Sequence, residues 1–356
     1  MDILFFLPTL GRGGTERVVG ILAEEFSKTY EVGILTFAKC QADEIDPTNI
    51  TLLSLNCLRD SPNRLAGFLG NVPRLFRLIK MLRRYKPKVI LSFLPQCNVL
   101  SILASLFCRS RVVVNERNVL KRQNLSKPWV ILRQRLYPYA AQVWCNSDEI
   151  AHELKEQTGC KVRITKNPVR FGTQKKNYGN KKKLISVGRL VEQKGFDTLV
   201  RSFSLSGLDR NGWIIDIYGD GPLLFELKKL VNEMGLELNV KLHGSHKIVS
   251  GELIEADIFI LCSKYEGLSN AMLEAMSCGI PCVLTESAGS VTDKLKKMGN
   301  AVIVQDDERH IAQALTRLAL DSSRQREIGK KGLEWSRQYE SSRVASEWIE
   351  LLGEIA

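Results

Sequence analysis

Glu266 and Glu274 bracket seven residues, Gly-Leu-Ser-Asn-Ala-Met-Leu, and this stretch carries the most specific chemistry in the chain. Just before it, Asp257-Ile-Phe-Ile-Leu-Cys262 is a short apolar run of the kind that forms a buried parallel strand. Ser269 or Asn270 is a good N-cap, Ala271 to Met276 are helix formers, and Gly279 with Pro281 ends the helix. Glu266 then lies on a loop facing a helix N-terminus, with Glu274 inside the first turns. Unpaired N–H groups and the positive end of the dipole make that terminus a place for phosphate. A carboxylate there repels phosphate, so two of them suggest a ligand with hydroxyls to grip beside its phosphates. A sugar nucleotide is such a ligand. Arg189 and Lys194 suit it as well: a strand, Leu184–Gly188, ends on Gly-Arg, and Lys-Gly follows at the start of a helix. Both cations can converge on the same phosphates, Arg189 by its planar fork and Lys194 as a point charge.

The stretch from Glu266 to Pro281, set between two strands, resembles the Glu-x7-Glu signature of the retaining GT-B glycosyltransferases, in particular glycosyltransferase family 4. The resemblance implies an α/β chain of two Rossmann-like, doubly wound parallel-sheet domains facing a cleft. It also implies that Glu266 contacts the donor sugar and Glu274 holds the ribose hydroxyls. The amides of Gly267, Leu268, Ser269 and Asn270, with Arg189 and Lys194, would meet the diphosphate. Gly11-Arg-Gly13-Gly14-Thr-Glu16 is similar to the family's Gly-Gly-x-Glu-Arg opening, which puts Gly13 and Gly14 near the donor diphosphate and the acceptor; a plain tight turn is the other reading. Gly219 opens a further helix, and the loop carrying His246 is where relatives seat the base, mostly through backbone atoms.

Glu116-Arg117-Asn118 resembles the acceptor-side loop of members that act on undecaprenyl-diphosphate-linked sugars. Several relatives carry His where Arg117 stands, so a His role does not transfer. Two readings of Glu116 stay open. It is a counter-ion to Arg117, Arg111 or another neighbour, or it sits on a loop at the cleft edge facing Glu266 and orients the attacking sugar hydroxyl. Among so many cations it should stay ionised and accept a hydrogen bond. No Asp-x-Asp occurs, so the divalent-metal clamp of GT-A transferases is missing. Charge on the departing diphosphate would fall to Arg189, Lys194 and the helix N-terminus before Ala271. The resemblance thus implies retaining transfer, without metal or other cofactor, from a nucleotide sugar (UDP-linked) to a growing polyprenyl-diphosphate-linked oligosaccharide of a surface polysaccharide. A nucleotide-sugar epimerase or a phosphorylase on the same fold is the alternative.

The bulk properties agree with a two-domain globular enzyme. The chain has 356 residues, 44% hydrophobic and 25% charged, more than one usual core accommodates. Nine cysteines without CxxC pairs read as reduced cytosolic thiols, and the N-terminal Met1–Pro8 reads as a first strand, not a signal peptide. The net charge of +12 is uneven: between Asp60 and Asp148, Glu116 is the one acid among sixteen Lys and Arg residues. Such a field draws a polyanion: nucleic acid, an anionic membrane, or a lipid diphosphate. Nucleic acid is disfavoured, because no recognition module is present. Helix 72–85 places Leu75, Phe76, Ile79 and Leu82 on one face, with Arg77, Lys80, Arg83 and Arg84 on its flank. It either lies on an anionic bilayer or packs on the core behind a solvated basic face. The uncharged run Val89–Cys108 is long enough to span a bilayer. It is better read as a strand and a helix, because Pro95, Gln96 and Asn98 interrupt it. Peripheral attachment at the inner face of the cell membrane is the expected location.

The order of elements follows. Ile3–Leu7, a glycine loop, helix Arg17–Phe26 and strand Glu31–Phe37 form a βαβ opening. Asn167-Pro168-Val169 resembles the family's crossing into its second domain. The expected organisation is an acceptor domain over 1–168, a linker over 169–183 and a nucleotide-sugar domain over 184–338. A helix over 339–356 would fold back onto the first domain.

Overall fold

Ile3–Leu7 (β1) is five consecutive apolar residues, all buried, as expected of a strand covered on both faces. Its odd positions, Ile3, Phe5 and Leu7, join one core cluster, and Leu4 and Phe6 join another on the opposite face. The computed structural model describes residues 1–11, 13–38, 47–57, 70–123, 125–172, 178, 181–244 and 250–354. The chain divides into two compact units, Met1–Pro168 with Ser341–Ala356, and Val169–Glu340.

The first unit is built on a parallel seven-stranded sheet in the order β3-β2-β1-β4-β5-β6-β7. After β1 come β2 (Val32–Thr36), β3 (Ile50–Ser54), β4 (Val89–Phe93), β5 (Arg111–Glu116), β6 (Gln142–Cys145) and β7 (Val162–Ile164). Helix α1 (Gly14–Ser27) and the C-terminal helix (Ser341–Gly353) cover one face. Helices α2 (Asn71–Tyr85), α3 (Pro95–Ser105), α4 (Lys127–Leu136) and α5 (Asp148–Thr158) cover the other. Strand β3 and helix α4 were not foreseen from the sequence. The run Val89–Cys108 is β4, α3 and a short turn, and no helix among the described residues is long and apolar enough to cross a membrane.

Helix α2 departs from the expected wheel. Leu78 and Leu82 are buried, whereas Phe76 is 68% exposed. Arg77 is not displayed to solvent as a free cation either: its Nη1 donates to the carbonyls of Leu55 and Asn56 at 3.1 and 3.0 Å. Lys80 and Arg84 remain on the exposed flank.

The second unit repeats the plan with six parallel strands in the order β10-β9-β8-β11-β12-β13. These are β8 (Lys183–Val187), β9 (Ile214–Tyr218), β10 (Val240–Leu242), β11 (Ile258–Leu261), β12 (Cys282–Thr285) and β13 (Val302–Val304). Helices α6 (Phe196–Leu205), α7 (Leu224–Glu233) and α11 (Glu308–Ala319) pack on one face. On the other lie α8 (Ser250–Ile254), α9 (Asn270–Ser277), α10 (Thr292–Met298) and the end of α12 (Ser322–Ser336). Each sheet reverses its winding once, between β1 and β4 in the first unit and between β8 and β11 in the second. Open α/β sheets take their ligands outside the carboxyl ends of the strands at such a reversal.

Candidate active site

At the reversal of the second sheet, β8 ends into Gly188-Arg189 and β11 ends into Cys262–Glu266. Glycine at the exit of β8 leaves room for Lys194 to fold back over it: a Cβ on Gly188 would sit 3.2 Å from Lys194 Cε. Gly195, at φ +61°, lies against the carbonyl of Cys262, where an added Cβ would approach to 2.2 Å. The turn carrying Lys194 is therefore locked to the end of β11. Gln193 strengthens the lock, its side chain donating to Tyr265 O at 2.9 Å and its carbonyl accepting from Lys264 N at 2.8 Å.

That lock brings Lys194 Nζ into an ion pair with Glu266, the two side chains being 16% and 12% exposed. Ser263 Oγ also donates to Glu266 Oε1, at 3.0 Å. Arg189 is exposed and makes no ion pair or side-chain hydrogen bond among the described residues. The two cations expected to act together thus differ: Lys194 is held by a carboxylate, and Arg189 stands in solvent.

Helix α9 begins as the sequence suggested. Ser269 is the N-cap, its Oγ accepting from Met272 N at 3.4 Å. Gly267, Leu268 and Ser269 are buried, Asn270 is half-buried, and Glu274 is 8% exposed in the second turn. Neighbouring strand ends are cleared of side chains. Gly219 follows β9 at φ +152°, where a Cβ would lie 1.8 Å from Gly188 O, and its N–H donates to Gly244 O at 2.8 Å. Beyond it, the His243 ring stacks on Tyr218 at 4.5 Å, and its Nε2 lies 2.7 Å from the buried Asp216. His246 lies outside the described residues. This end of the unit therefore offers a helix N-terminus, an exposed guanidinium and two carboxylates, Glu266 and Glu274, that are largely shielded from water. Among the described residues no group of three or more His, Cys, Asp or Glu side chains is placed to hold a metal ion.

In the first unit the Glu116-Arg117-Asn118 triplet differs from expectation. Glu116 is the last residue of β5, not part of a loop, and is fully buried. Tyr137 Oη donates to it at 2.5 Å and Gln123 Nε2 at 3.1 Å. Burial pushes its carboxyl above the usual range, against the lowering effects of the Tyr137 hydrogen bond, Arg133, and hydrogen bonds from Gln123 and Asn98. It accepts hydrogen bonds, as expected, and burial outweighs the nearby cation in setting the direction of its shift. Arg117 is not its partner. Side chains alternate across a strand, so Arg117 leaves on the other face. There it donates to Asn167 Oδ1 at 2.8 Å, Asn115 Oδ1 at 3.1 Å and Thr165 Oγ1 at 3.2 Å. Its guanidinium lies 5.1 Å from the Trp348 ring and 5.7 Å from Phe93, and burial pulls its pKa down to about 10.

Gly13 is the N-cap of α1 and Gly14 its first residue. Sequence reasoning did not assign Gln193, Ser263 or Asp216. Gln193 and Asp216 meet their partners across neighbouring strands that only the fold brings together, and Ser263 reaches Glu266 within one loop whose turn the sequence does not mark.

Two family models match the chain: Glycosyltransferase Family 4 over residues 12–171 and Glycosyl transferases group 1 over residues 171–335. Among curated relatives, a Campylobacter jejuni enzyme named GalNAc-alpha-(1->4)-GalNAc-alpha-(1->3)-diNAcBac-PP-undecaprenol alpha-1,4-N-acetyl-D-galactosaminyltransferase is 25% identical, the match covering 100% of this chain and 99% of that one. A second from that organism, N-acetylgalactosamine-N,N'-diacetylbacillosaminyl-diphospho-undecaprenol 4-alpha-N-acetylgalactosaminyltransferase, is 25% identical over 98% of both. Among solved structures, Anabaena HepE in complex with UDP and glucose superposes with a TM-score of 0.82 at 18% identity, covering 99% of both chains. Sucrose-phosphate synthase from Thermosynechococcus elongatus gives 0.84 at 16% identity, covering 100% of this chain and 99% of that one. The two family matches meet at residue 171 and together take in both doubly wound sheets apart from β1, so the chain belongs to glycosyltransferase family 4 and has the GT-B fold.

Proposed function

We propose that this glycosyltransferase moves a sugar from a UDP-sugar to a growing polyprenyl-diphosphate-linked oligosaccharide in surface polysaccharide synthesis, with retention at the anomeric carbon and without a divalent metal. The observation that carries the donor assignment is the grouping of Glu266, Lys194 and buried Glu274 around the N-terminus of α9. Glu274 takes the ribose hydroxyls and Glu266 a hydroxyl of the transferred sugar. The α9 amides, exposed Arg189 and Lys194 stabilise charge on the departing diphosphate, the work a metal ion performs elsewhere. The two Campylobacter relatives, whose names specify undecaprenyl-diphosphate acceptors, support the acceptor class, and the UDP complex of HepE supports the nucleotide. The enzyme works at the cytoplasmic face of a membrane, resting there through Phe76, Lys80 and Arg84 of α2.

The test is a thermal-shift panel of UDP, GDP and ADP, followed by transfer from UDP-GalNAc, UDP-GlcNAc and UDP-glucose to lipid-linked saccharides from the source cells. UDP should stabilise the protein most, and transfer should survive excess EDTA with the anomeric configuration kept. Loss of transfer on chelation with recovery on adding Mg²⁺ would overturn the metal-independent part. A larger shift with GDP would overturn the choice of nucleotide.

A further inference from the structure

The amino edge of the first sheet, opposite the end where open α/β sheets take ligands, includes three turns that enter β4, β5 and β6. The stretches that form them, 83–88, 105–111 and 135–141, hold seven Lys and Arg residues and no Asp or Glu. We propose that this edge is a second lipid-docking surface, on which Leu106, Phe107 and Tyr139 enter an anionic bilayer while the cations around them meet lipid phosphates. The inference rests on the membrane part of the reading above and not on its glycosyltransfer chemistry. To the charged flank of α2 it adds a contact of a different kind, made by insertion.

Leu106 and Phe107 follow α3 directly and are 68% and 55% exposed, and Tyr139 is 75% exposed. One exposed apolar residue is ordinary, whereas two in succession beside an exposed aromatic ring form a patch. The turn that carries the first two is held by its own hydrogen bonds. Phe107 N donates to Ala104 O at 3.0 Å, Cys108 N to Ser105 O at 3.1 Å and Ser105 Oγ to Ile102 O at 2.7 Å. Its neighbours are tied to it on both sides. Ser110 Oγ donates to Pro87 O at 2.6 Å and Arg111 N to Lys88 O at 2.9 Å, which joins the turn before β4. Ala141 N donates to Val112 O at 2.8 Å, which joins the turn carrying Tyr139. The edge is thus one preformed surface.

Charge decides what this surface meets. Lys86, Arg109 and Arg111 are exposed, and Arg83 lies beside the Cys108 thiol at the base of the turn. Asp2 pairs with Lys88 at 2.8 Å, and among the described residues no carboxylate pairs with Lys86, Arg109 or Arg111. A second copy docked edge to edge would set cation against cation. An anionic bilayer instead supplies hydrocarbon for Leu106 and Phe107 and phosphate oxygens for the cations. The Tyr139 ring suits the interface between the two, and the long stems of Lys and Arg reach back to the headgroups. Contact along this edge leaves the carboxyl end of the sheet open to ligands.

The experiment is vesicle sedimentation of the full chain, with phosphatidylglycerol–phosphatidylcholine and pure phosphatidylcholine vesicles, at low and high salt. Wild type is compared with Leu106→Ser/Phe107→Ser and with Arg109→Gln/Arg111→Gln. All four side chains are exposed, so Tm and the thermal shift given by UDP should stay those of the wild type. Wild type should prefer the anionic vesicles. The arginine variant should bind them about thirtyfold more weakly at low salt and almost as wild type at high salt, where charge is screened. The Leu106/Phe107 variant should lose about a hundredfold at low salt, and its loss should persist at high salt. Phe107→Trp reads insertion directly: lipids with brominated acyl chains should quench its fluorescence beyond the response of the wild type. Vesicle binding within about threefold of wild type in the Leu106/Phe107 variant overturns the proposal, as does an unquenched Phe107→Trp. A wild type that binds neither vesicle overturns it as well and leaves an acidic protein as the partner. A missing UDP shift counts against the donor reading alone, because vesicle binding is read without donor or acceptor.

Discussion

Replacing Lys194 by Met, and separately Glu266 by Gln, should move UDP affinity in opposite directions. The pair is largely shielded from water, the two side chains being 16% and 12% exposed, and Ser263 also donates a hydrogen bond to Glu266. Lys194→Met keeps the stem that packs over Gly188 and deletes the ammonium. Removing one partner of a buried pair costs about 3–5 kcal/mol, and the residual exposure here brings the expected loss of stability to about 2–3 kcal/mol. Glu266→Gln keeps an acceptor for the ammonium and should cost about 1 kcal/mol. The double variant should fall short of the sum by about 1–2 kcal/mol. For UDP, Lys194→Met loses a charged hydrogen-bond donor, worth roughly 1.5–3 kcal/mol, so affinity should fall about ten- to a hundredfold. Glu266→Gln removes a carboxylate from beside the diphosphate and releases Lys194 from it. At roughly 8 Å and an effective dielectric near ~40, Coulomb's law gives about 1 kcal/mol, a several-fold gain in UDP affinity. Turnover of the UDP-sugar should nonetheless fall, because the sugar loses its contact. Urea midpoints read the cycle, and titration calorimetry with UDP reads the affinities. An additive cycle, or weaker UDP binding in Glu266→Gln, would refute the idea that this pair gates the phosphate site.

Further tests address the first unit. Burial holds the Glu116 carboxyl above the ordinary carboxylate range, so its contribution to stability is present at low pH and lost as pH rises through the folded value. Wild type should therefore lose stability relative to Glu116→Gln as pH rises above the ordinary carboxylate range, read by urea titration, and a gap widening in the opposite sense would contradict the burial argument. Trp348→Ala should destabilise by about 3–5 kcal/mol, because the indole packs edge-on to Trp144 at 4.9 Å, stacks near Phe93 at 6.5 Å and donates to Lys166 O at 3.2 Å. Intrinsic tryptophan fluorescence during unfolding would report it. Lys80→Gln with Arg84→Gln should weaken binding to anionic vesicles about thirtyfold at low salt, on about 1 kcal/mol per cation, and leave the UDP shift unchanged. Equal sedimentation with neutral and anionic vesicles would remove α2 from the membrane account.

What the sequence made legible was local. The apolar runs Ile3–Leu7 and Ile258–Cys262, the Ser269 cap and the Gly279-Pro281 stop each carry their own signal within a few residues, and the corresponding elements formed. Strand β3 escaped notice because its Ile-Thr-Leu-Leu-Ser run is short and half-exposed at the sheet edge. Helix α4 escaped because Pro128 and three cations obscure a modest apolar face. The error at Glu116 had another cause. Counting charges along the chain treats them as neighbours, whereas β5 sends Glu116 and Arg117 to opposite faces of the sheet. The carboxyl then meets Tyr137 and Gln123 in the core, and the guanidinium meets Trp348 from the far C-terminus. Neither partner is foreseeable without the topology.

The same topology separates two tasks that the sequence presents in similar form. Each unit puts a helix N-terminus at its sheet reversal, α1 in one and α9 in the other, and both carry a Glu nearby. In α9 the cap is the neutral hydroxyl of Ser269, and Glu266 is drawn onto Lys194. The amides there keep their positive field, and a diphosphate can approach. In α1 the cap is Gly13, which lacks a side chain, and Glu16 fills that space with its own charge. That carboxylate lies against the positive end of the helix, which makes the end less attractive to an anion. If that division holds, exchanging the two caps should exchange the preferences: Ser at 13 would push Glu16 aside and leave α1 attractive to anions. Inorganic phosphate should then protect Gly13→Ser against thermal unfolding more than it protects the wild type. An equal phosphate effect on both proteins would mean that the carboxylate does not set the polarity of this site.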